Sequence, residues 1–263
     1  MNCPKQGTGS LHKEDYMARF SGKVVVVTGA GSGIGAASVK RLHDEGATVI
    51  AVDLSPEAAA LHAGLERVET VALDACDHAG AIALLADVRG RHGAVNGLVN
   101  CAGITGIGSI IDTEPAKHQK IMDVNLNGTI NMCQAFVQAV KEDKGPRAIV
   151  NISSGAGLLG VANRLSYVAS KFGITGITKS MSPELGPLGI RVNAVAPGVT
   201  RTPLMEYALK DPVKAKAILD AHPIGRIGEP EEIAAVIVFL LSDDASFMTG
   251  SVVSVDGGQT ACL

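Results

Sequence analysis

The chain has 263 residues, of which 46% are hydrophobic and 19% are charged, and its formal net charge is −3. This composition excludes a chain that is disordered throughout, and the length fits one large domain. The sequence has no Trp, only 3% aromatic residues and no basic stripe, so we expect no nucleic-acid partner.

Seven apolar, β-branched segments alternate with longer segments of helical period. The predicted strands are 23–28, 48–52, 68–73, 97–100, 147–152, 191–196 and 252–255. The predicted helices are 34–45, 79–92, 115–141, 167–185 and 230–241. Apolar strands that alternate with helices are typical of parallel sheets covered on both faces. We therefore predict an α/β fold: a single-domain, Rossmann-like, doubly wound parallel sheet of about seven strands over residues 20–263.

One segment, residues 199–223, breaks this alternation. It contains Pro203, Pro212 and Pro223 and only a weak amphipathic pattern. Because it follows the carboxyl end of a strand, where α/β sheets bind their ligands, we expect a substrate loop that is mobile without ligands.

Location is predicted from two stretches of sequence. The longest purely apolar run, residues 233–241, is much shorter than the roughly 20 residues of a membrane-spanning helix. Residues 1–20 are polar and charged where a signal peptide has its apolar core. We expect a cytoplasmic protein with no membrane partner and with a flexible tail over residues 1–19.

Cysteines and histidines give no sign of a metal or a disulfide framework. The five cysteines form no CxxC pair, and no two of the seven histidines lie three or four residues apart. Reduced thiols and metal-free chemistry are therefore expected.

A glycine-rich turn, Thr28-Gly-Ala-Gly-Ser-Gly-Ile-Gly35, follows the first strand directly. Glycines let a backbone turn sharply and approach a pyrophosphate, whose charge is stabilised at the N-terminus of the next helix. The sequence GK[ST] does not follow, which excludes a Walker-type loop. A turn without a ligand is the alternative, but the strand before it and the helix after it favour a dinucleotide site. The predicted contacts are Gly29, Ser32, Gly33, Ile34 and Gly35.

The second strand ends next to Asp53, close to the distance from the glycines at which a carboxylate binds the hydroxyls of an adenine ribose. A carboxylate repels a 2′-phosphate, and no basic residue stands at 30–32 or at 54. The sequence therefore favours NAD over NADP. An Asp that only caps the next turn is the alternative, but it does not account for the spacing.

Tyr167 and Lys171 stand four residues apart, on one face of a predicted helix. A tyrosine with a pKa of about 10 becomes a useful base near neutrality if that pKa falls by about three. An ammonium about 4 Å away supplies about 4 kcal/mol at an effective dielectric near 20, which is enough. We therefore expect Lys171 to lower the pKa of Tyr167. The motif considered alone is also compatible with an ordinary surface pair.

Together these motifs resemble the short-chain dehydrogenase/reductase family over about residues 20–258. The glycine turn matches TGxxxGIG, and residues 100–103 (NCAG) match NNAG with Cys101 in place of the second Asn. Ser154 lies thirteen residues before Tyr167, and Pro197-Gly198 with Thr202 matches PGxxxT. At Cys101 a buried structural cysteine is favoured over a reactive thiol near the cofactor.

The resemblance implies an NAD(H)-dependent oxidoreductase that interconverts a secondary alcohol and a ketone. It makes Tyr167 the acid/base, Ser154 the partner of the substrate oxygen, Lys171 the cation that also holds the nicotinamide ribose, and Asn125 the holder of a proton-relay water. Further implied cofactor contacts are Asp74, Ala75, Asn100, Ala102, Gly103, Pro197, Gly198, Val199, Thr200 and Thr202. A turn cap is the alternative for Asp74. The resemblance also implies a homotetramer.

The substrate is constrained only by candidate pocket residues, which are mostly apolar: Ile104, Leu158, Leu159, Leu204, Met205 and Tyr207. They favour a small, fairly hydrophobic, uncharged molecule, whereas Arg164 and Arg201 are candidates to bind an acid group. Two other functions stay open. One is a non-catalytic NAD-binding redox sensor on the same fold, and the other is an interaction protein that uses the apolar faces of helices 115–141 and 167–185.

Overall fold

The computed structural model of the protein describes residues 18–55, 57–203, 205 and 210–261. Of the predicted tail, residues 1–17 lie outside this set, as do the pocket candidates Leu204 and Tyr207.

Seven parallel strands form one sheet in the order β3-β2-β1-β4-β5-β6-β7. The strands are β1 (Val24–Thr28), β2 (Thr48–Asp53), β3 (Val68–Ala72), β4 (Gly97–Asn100), β5 (Arg147–Ile152), β6 (Ile190–Pro197) and β7 (Val252–Val255). Each strand agrees with its predicted segment to within one residue at either end. The predicted doubly wound α/β fold is confirmed.

The helices are α1 (Gly33–Asp44), α2 (Glu57–Leu61), α3 (His78–His92), α4 (Pro115–Met122), α5 (Gly128–Val140), α6 (Leu165–Leu185), α7 (Pro212–Asp220) and α8 (Pro230–Leu241). The helix predicted over 115–141 contains one π-helical stretch, Asp123–Asn127, between α4 and α5. Such stretches occur often at functional sites.

Helix α7 lies in residues 199–223, the segment whose prolines and weak amphipathic pattern predict a mobile substrate loop. Pro212 stands at the first position of α7, where its missing N–H breaks no hydrogen bond and its fixed φ suits the helix. The proline therefore begins a helix in this segment.

The two faces of the sheet carry separate cores, because successive side chains of a strand point to opposite faces. Val25 and Val27 of β1 are buried in a cluster with residues of α1 and α8. Val24 and Val26 are buried in a second cluster with residues of α3 and α5. Both faces are covered, so the carboxyl ends of the strands remain as the edge at which a ligand can bind.

The strand order reverses next to β1, since β2 and β3 lie on one side of it and β4 to β7 on the other. In doubly wound sheets the crevice at this switch point is where ligands bind. The glycine turn after β1 and the NCAG segment after β4 flank this crevice.

Candidate active site

The glycine turn is so tightly packed that side chains are excluded at several positions. Gly29 has a φ of +65°, and a Cβ there would lie 2.7 Å from the backbone nitrogen of Ala102. A Cβ on Gly35 would overlap the carbonyl oxygen of Gly29. Within the described residues no side chain caps the first turn of α1. Its N–H groups therefore suit an anion such as a pyrophosphate, and the turn fits a dinucleotide.

Asp53 lies directly against this turn. Its Oδ2 accepts a hydrogen bond from the N–H of Gly31 at 2.7 Å, and its Oδ1 accepts one from the N–H of Ser55 at 2.8 Å. The carboxylate thus caps the next turn and also fixes the glycine turn. Each carboxylate oxygen can accept a further hydrogen bond, so these contacts leave acceptor capacity for ribose hydroxyls.

A buried histidine that no sequence pattern singles out also supports the turn. The ring of His62 donates from Nε2 to the carbonyl oxygen of Ala30 at 2.9 Å. The two residues are 32 positions apart, and no local pattern signals the contact.

Ser154, Tyr167 and Lys171 come together at the carboxyl end of β5. Ser154 precedes a short 3-10 turn, Gly155–Gly157, and its hydroxyl accepts from the N–H of Ala156 at 3.2 Å. The Ser154 side chain also shares a hydrogen bond with Tyr167, near the start of α6. One turn further along α6, the Nζ of Lys171 lies 5.6 Å from the centre of the Tyr167 ring.

Burial acts on the acid–base properties of both Tyr167 and Lys171. Burial raises the pKa of Tyr167, while the hydrogen bond from Ser154 and the charge of Arg164 act to lower it. Burial also lowers the pKa of Lys171 to about 8. Its amine donates to the carbonyl oxygen of Ile152 at 2.8 Å. The lowering of the Tyr167 pKa by Lys171 stays a prediction.

Two residues that the sequence did not single out attach the Ser154 turn to α6. The hydroxyl of Ser153 donates to the carbonyl oxygen of Lys171 at 3.0 Å. A Cβ on Gly157 would overlap the Ser153 hydroxyl and would lie 2.7 Å from that same carbonyl oxygen. This close packing fixes the position of Ser154 relative to Tyr167.

Asn125 lies in the π-helical stretch and is fully buried. Its Oδ1 accepts from the N–H of Ile104 at 2.8 Å, and its Nδ2 donates to the Ile104 carbonyl oxygen and to the Ser170 hydroxyl, both at 3.0 Å. A Cβ on Gly103 would lie 3.3 Å from Asn125 Oδ1 and 3.7 Å from Lys171 Nζ. Asn125 is thus brought close to Lys171, and its role in a water relay stays a prediction.

The Asn100 side chain points into the sheet. It is buried, donates to Asn151 Oδ1 at 2.9 Å and contacts Cys133 Sγ at 3.3 Å. These contacts give the side chain a structural role, and the expected cofactor contact of Asn100 stays a prediction. Next to it, the N–H of Ala102 donates to Thr28 Oγ1 at 3.3 Å. Burial raises the pKa of the Cys101 thiol to about 12, which agrees with the inert cysteine.

At the end of β3, Asp74 Oδ1 accepts from the N–H of Cys76 at 2.9 Å, as a turn cap does. Ala75 is buried, and its carbonyl oxygen accepts from Asn131 Nδ2 at 3.1 Å. The adenine contacts expected of Asp74 and Ala75 remain predictions.

The segment after β6 reaches the glycine turn through Thr202, because a Cβ on Gly33 would lie 2.9 Å from Thr202 Cγ2. The N–H of Val199, whose backbone the family resemblance implies as a contact of the nicotinamide carboxamide, donates to His222 Nε2 at 3.2 Å. The opposite ring nitrogen of His222 donates to the Ile218 carbonyl oxygen at 2.6 Å. Thr200 is buried and donates to the Gly198 carbonyl oxygen at 3.2 Å. In this structure the ring of His222 therefore accepts the hydrogen bond of the Val199 N–H. A cofactor carboxamide that binds this N–H would have to displace the His222 ring.

The two arginine candidates lie in different surroundings. Arg201 is largely exposed and forms an ion pair with Glu229 at 3.0 Å. Arg164 is half-buried at the start of α6 and donates to Thr105 Oγ1 at 2.9 Å. Of the two, only Arg164 acts electrostatically on Tyr167.

None of the helices among the described residues is long and apolar enough to cross a membrane. No group of three or more His, Cys, Asp or Glu side chains is arranged to hold a metal ion there.

Comparison with known proteins identifies the family. A family model described as enoyl-(acyl carrier protein) reductase matches residues 29–260. Levodione reductase of Leifsonia aquatica is 38% identical over 92% of this chain and 96% of its own length, and L-xylulose reductase of Bos taurus is 40% identical over 92% and 98%. A crystal structure of levodione reductase has a TM-score of 0.87 at 36% identity and covers 93% of this chain and 100% of that chain. The chain therefore belongs to the short-chain dehydrogenase/reductase family of oxidoreductases.

Proposed function

We propose that the protein is an NAD(H)-dependent oxidoreductase that interconverts a secondary alcohol and a ketone on a small, fairly hydrophobic substrate. The observation that carries this proposal is the hydrogen bond between Ser154 and Tyr167, with Lys171 one helical turn away. These groups stand at the carboxyl edge of the same sheet whose glycine turn fits a dinucleotide.

Each polar group of the site has a task in such a reaction. The hydroxyls of Ser154 and Tyr167 hold the substrate oxygen, and Tyr167 takes up or gives its proton. Gly103 lies next to the side chains of Asn125 and Lys171, close to Tyr167. From this position the amine of Lys171 can hold a hydroxyl of the nicotinamide ribose. A bound nicotinamide cofactor supplies the hydride exchange with the substrate carbon.

The substrate side of the proposal depends on apolar residues around Ser154. Ile104 is held by Asn125 through both of its backbone groups, and Leu158 and Leu159 follow the Ser154 turn. The segment 199–223 contributes Met205 as a further candidate. Both relatives named above are called reductases, which fits a carbonyl compound as one member of the substrate pair.

The choice of NAD is tested at Asp53. We expect the unmutated protein to bind NAD far more tightly than NADP, because the Asp53 carboxylate repels a 2′-phosphate. Asp53→Ala should narrow this gap, and Asp77→Ala, at the start of α3, should leave it unchanged. Calorimetry with both cofactors measures the two affinities. Equal or tighter binding of NADP by the unmutated protein contradicts the assignment.

Turnover tests the reaction class. A panel of secondary alcohols and ketones, including cyclic diols, steroids, sugars and hydroxy acids, should contain substrates whose conversion changes NADH absorbance. Binding of NAD without turnover across the whole panel would favour the redox sensor. The complete set of Ser154, Tyr167, Lys171 and Asn125 argues against that alternative, because a sensor needs only the cofactor contacts.

We also propose a cytoplasmic homotetramer. Exposed apolar side chains on α5 and α6, such as Ile130 and Phe172, are candidates for one subunit contact. Phe239 on α8 and the fully exposed Phe247 are candidates for a second. Two separate contacts are what a tetramer with twofold axes requires. Sedimentation equilibrium should give four chains, and a monomer at micromolar concentration contradicts the proposal.

A further inference from the structure

The backbone that follows β6 runs along the glycine turn, since a Cβ on Gly33 would lie 2.9 Å from Thr202 Cγ2. In this stretch both backbone groups of Val199 have partners. The Val199 carbonyl oxygen accepts from the N–H of Gly228 at 2.9 Å, which is a contact between backbones. The Val199 N–H donates instead to a side chain, the ring of His222, at 3.2 Å. A side chain can rotate away without breaking any backbone pairing, so the N–H is the group that Val199 can offer to a ligand.

The two hydrogen bonds of the His222 ring determine where its proton lies. A backbone N–H can only donate, so the Nε2 that faces Val199 must accept and carries no proton. A carbonyl oxygen can only accept, so Nδ1 must donate to Ile218, at 2.6 Å. The ring is therefore neutral, with its proton on Nδ1. Its Nε2 lone pair offers Val199 the same kind of contact as the carbonyl oxygen of a carboxamide.

The fold holds the His222 ring in this place. The residue is 3% exposed, and its carbonyl oxygen accepts from the N–H of Gly225 at 2.8 Å in the turn after α7. The next strand end supports this turn, because the N–H of Ile224 donates to the Gly257 carbonyl oxygen at 3.2 Å. Gly257 has a φ of +58°, and a Cβ there would lie 3.6 Å from His222 Cδ2. The contact with Val199 thus belongs to a packed and buried corner of the molecule.

We propose that His222 is a positioning residue that competes with the carboxamide at the nicotinamide end of the cofactor for the Val199 N–H. The inference rests on the proposed function, in which the Val199 backbone is a cofactor contact. Such competition lowers the affinity for the nicotinamide end and leaves the adenine end unchanged, because Asp53 and the glycine turn bind that end. Ligand release limits turnover in many enzymes, and a side chain that takes back the N–H favours release.

The proposal is tested by calorimetry with two ligands, NAD and ADP-ribose. ADP-ribose has the adenine, both phosphates and both riboses but no nicotinamide, so it does not compete with His222. His222→Phe keeps an aromatic ring and removes both ring nitrogens, so the Val199 N–H then has no protein acceptor to lose. This variant should bind NAD about fivefold more tightly, as expected for one hydrogen bond. Its affinity for ADP-ribose should equal that of the unmutated protein.

Two control variants separate competition from a merely structural role. The amide of glutamine can accept from Val199 and donate to Ile218, so His222→Gln should restore the unmutated affinity for NAD. His92→Phe replaces a histidine at the end of α3 that pairs with Glu69, and it should leave both affinities unchanged. A structural role alone would instead make His222→Phe weaken both ligands together.

Nitrogen NMR of the unmutated protein gives a second measurement, with the His222 signals identified by their loss in His222→Gln. Saturation with NAD should shift the Nε2 signal, and saturation with ADP-ribose should not. An Nε2 signal that NAD leaves unchanged overturns the proposal. It is also overturned if the unmutated protein and His222→Phe bind NAD equally, or if the change for ADP-ribose is as large as that for NAD. Binding of neither ligand by the unmutated protein refutes the proposed cofactor as well as the competition.

Discussion

Replacing Tyr167 by Phe should lower turnover by at least ~10²-fold while cofactor affinity stays near that of the unmutated protein. The ring is half-buried, and phenylalanine keeps its packing. What is lost is the hydroxyl, which shares the hydrogen bond with Ser154 and carries the proton in the proposed reaction. In the proposed function the glycine turn and Asp53 hold most of the cofactor, so its binding should not depend on this hydroxyl.

Steady-state rates on the best substrate and calorimetric binding of NAD measure the two effects separately. Ser180→Ala is a matched control, because it removes a hydroxyl from the exposed face of the same helix α6, where it contacts Glu184. It should leave both rate and affinity unchanged. A Tyr167→Phe enzyme that oxidises alcohol at nearly the native rate would show that the proton carrier lies elsewhere.

The parts of the molecule that were predicted correctly depend on local pattern. The strands were found because apolar β-branched runs of fixed length, buried on both faces, leave few alternatives. The proximity of Tyr167 and Lys171 was predicted because a spacing of four puts both side chains on one helix face. Helix α7 was not predicted because the amphipathic pattern of its segment is weak, although Pro212 suits the first helical position.

The parts that were missed depend on contacts between residues far apart in the chain. His222 binds the backbone of Val199 from 23 residues away, and the Ser153 hydroxyl binds the Lys171 carbonyl from 18 residues away. Such contacts form only after the sheet has brought the strand ends together, so neither hydrophobic periodicity nor residue spacing predicts them. The rise in the Tyr167 pKa on burial could not be predicted for the same reason, since burial is a property of the folded chain.

Lys171 should make the stability of the protein depend on pH in a way that Lys171→Met removes. The side chain is 5% exposed, and burial lowers its pKa from 10.5 to about 8. A lysine whose pKa is lower in the folded state destabilises the fold fully at pH values below the folded pKa, here by about 3 kcal/mol. This destabilisation is relieved as the pH rises from about 8 towards 10.5, because the unfolded chain then binds more protons than the folded one.

The free energy of unfolding of the unmutated protein should therefore rise relative to that of Lys171→Met, by about 2 kcal/mol between about pH 7 and about pH 9.5. Denaturant titrations of both proteins at each pH measure this difference, in which the contributions of all other groups cancel. Lys179→Met, an exposed position on the same helix, should show no comparable trend, because its amine is hydrated in both states. A pH-independent difference for Lys171→Met would mean that the buried amine is stabilised by the site. The expected rise with pH would instead mean that the charged amine of Lys171 destabilises the fold. The fold would then tolerate this charge at a position where the proposed reaction needs a cation.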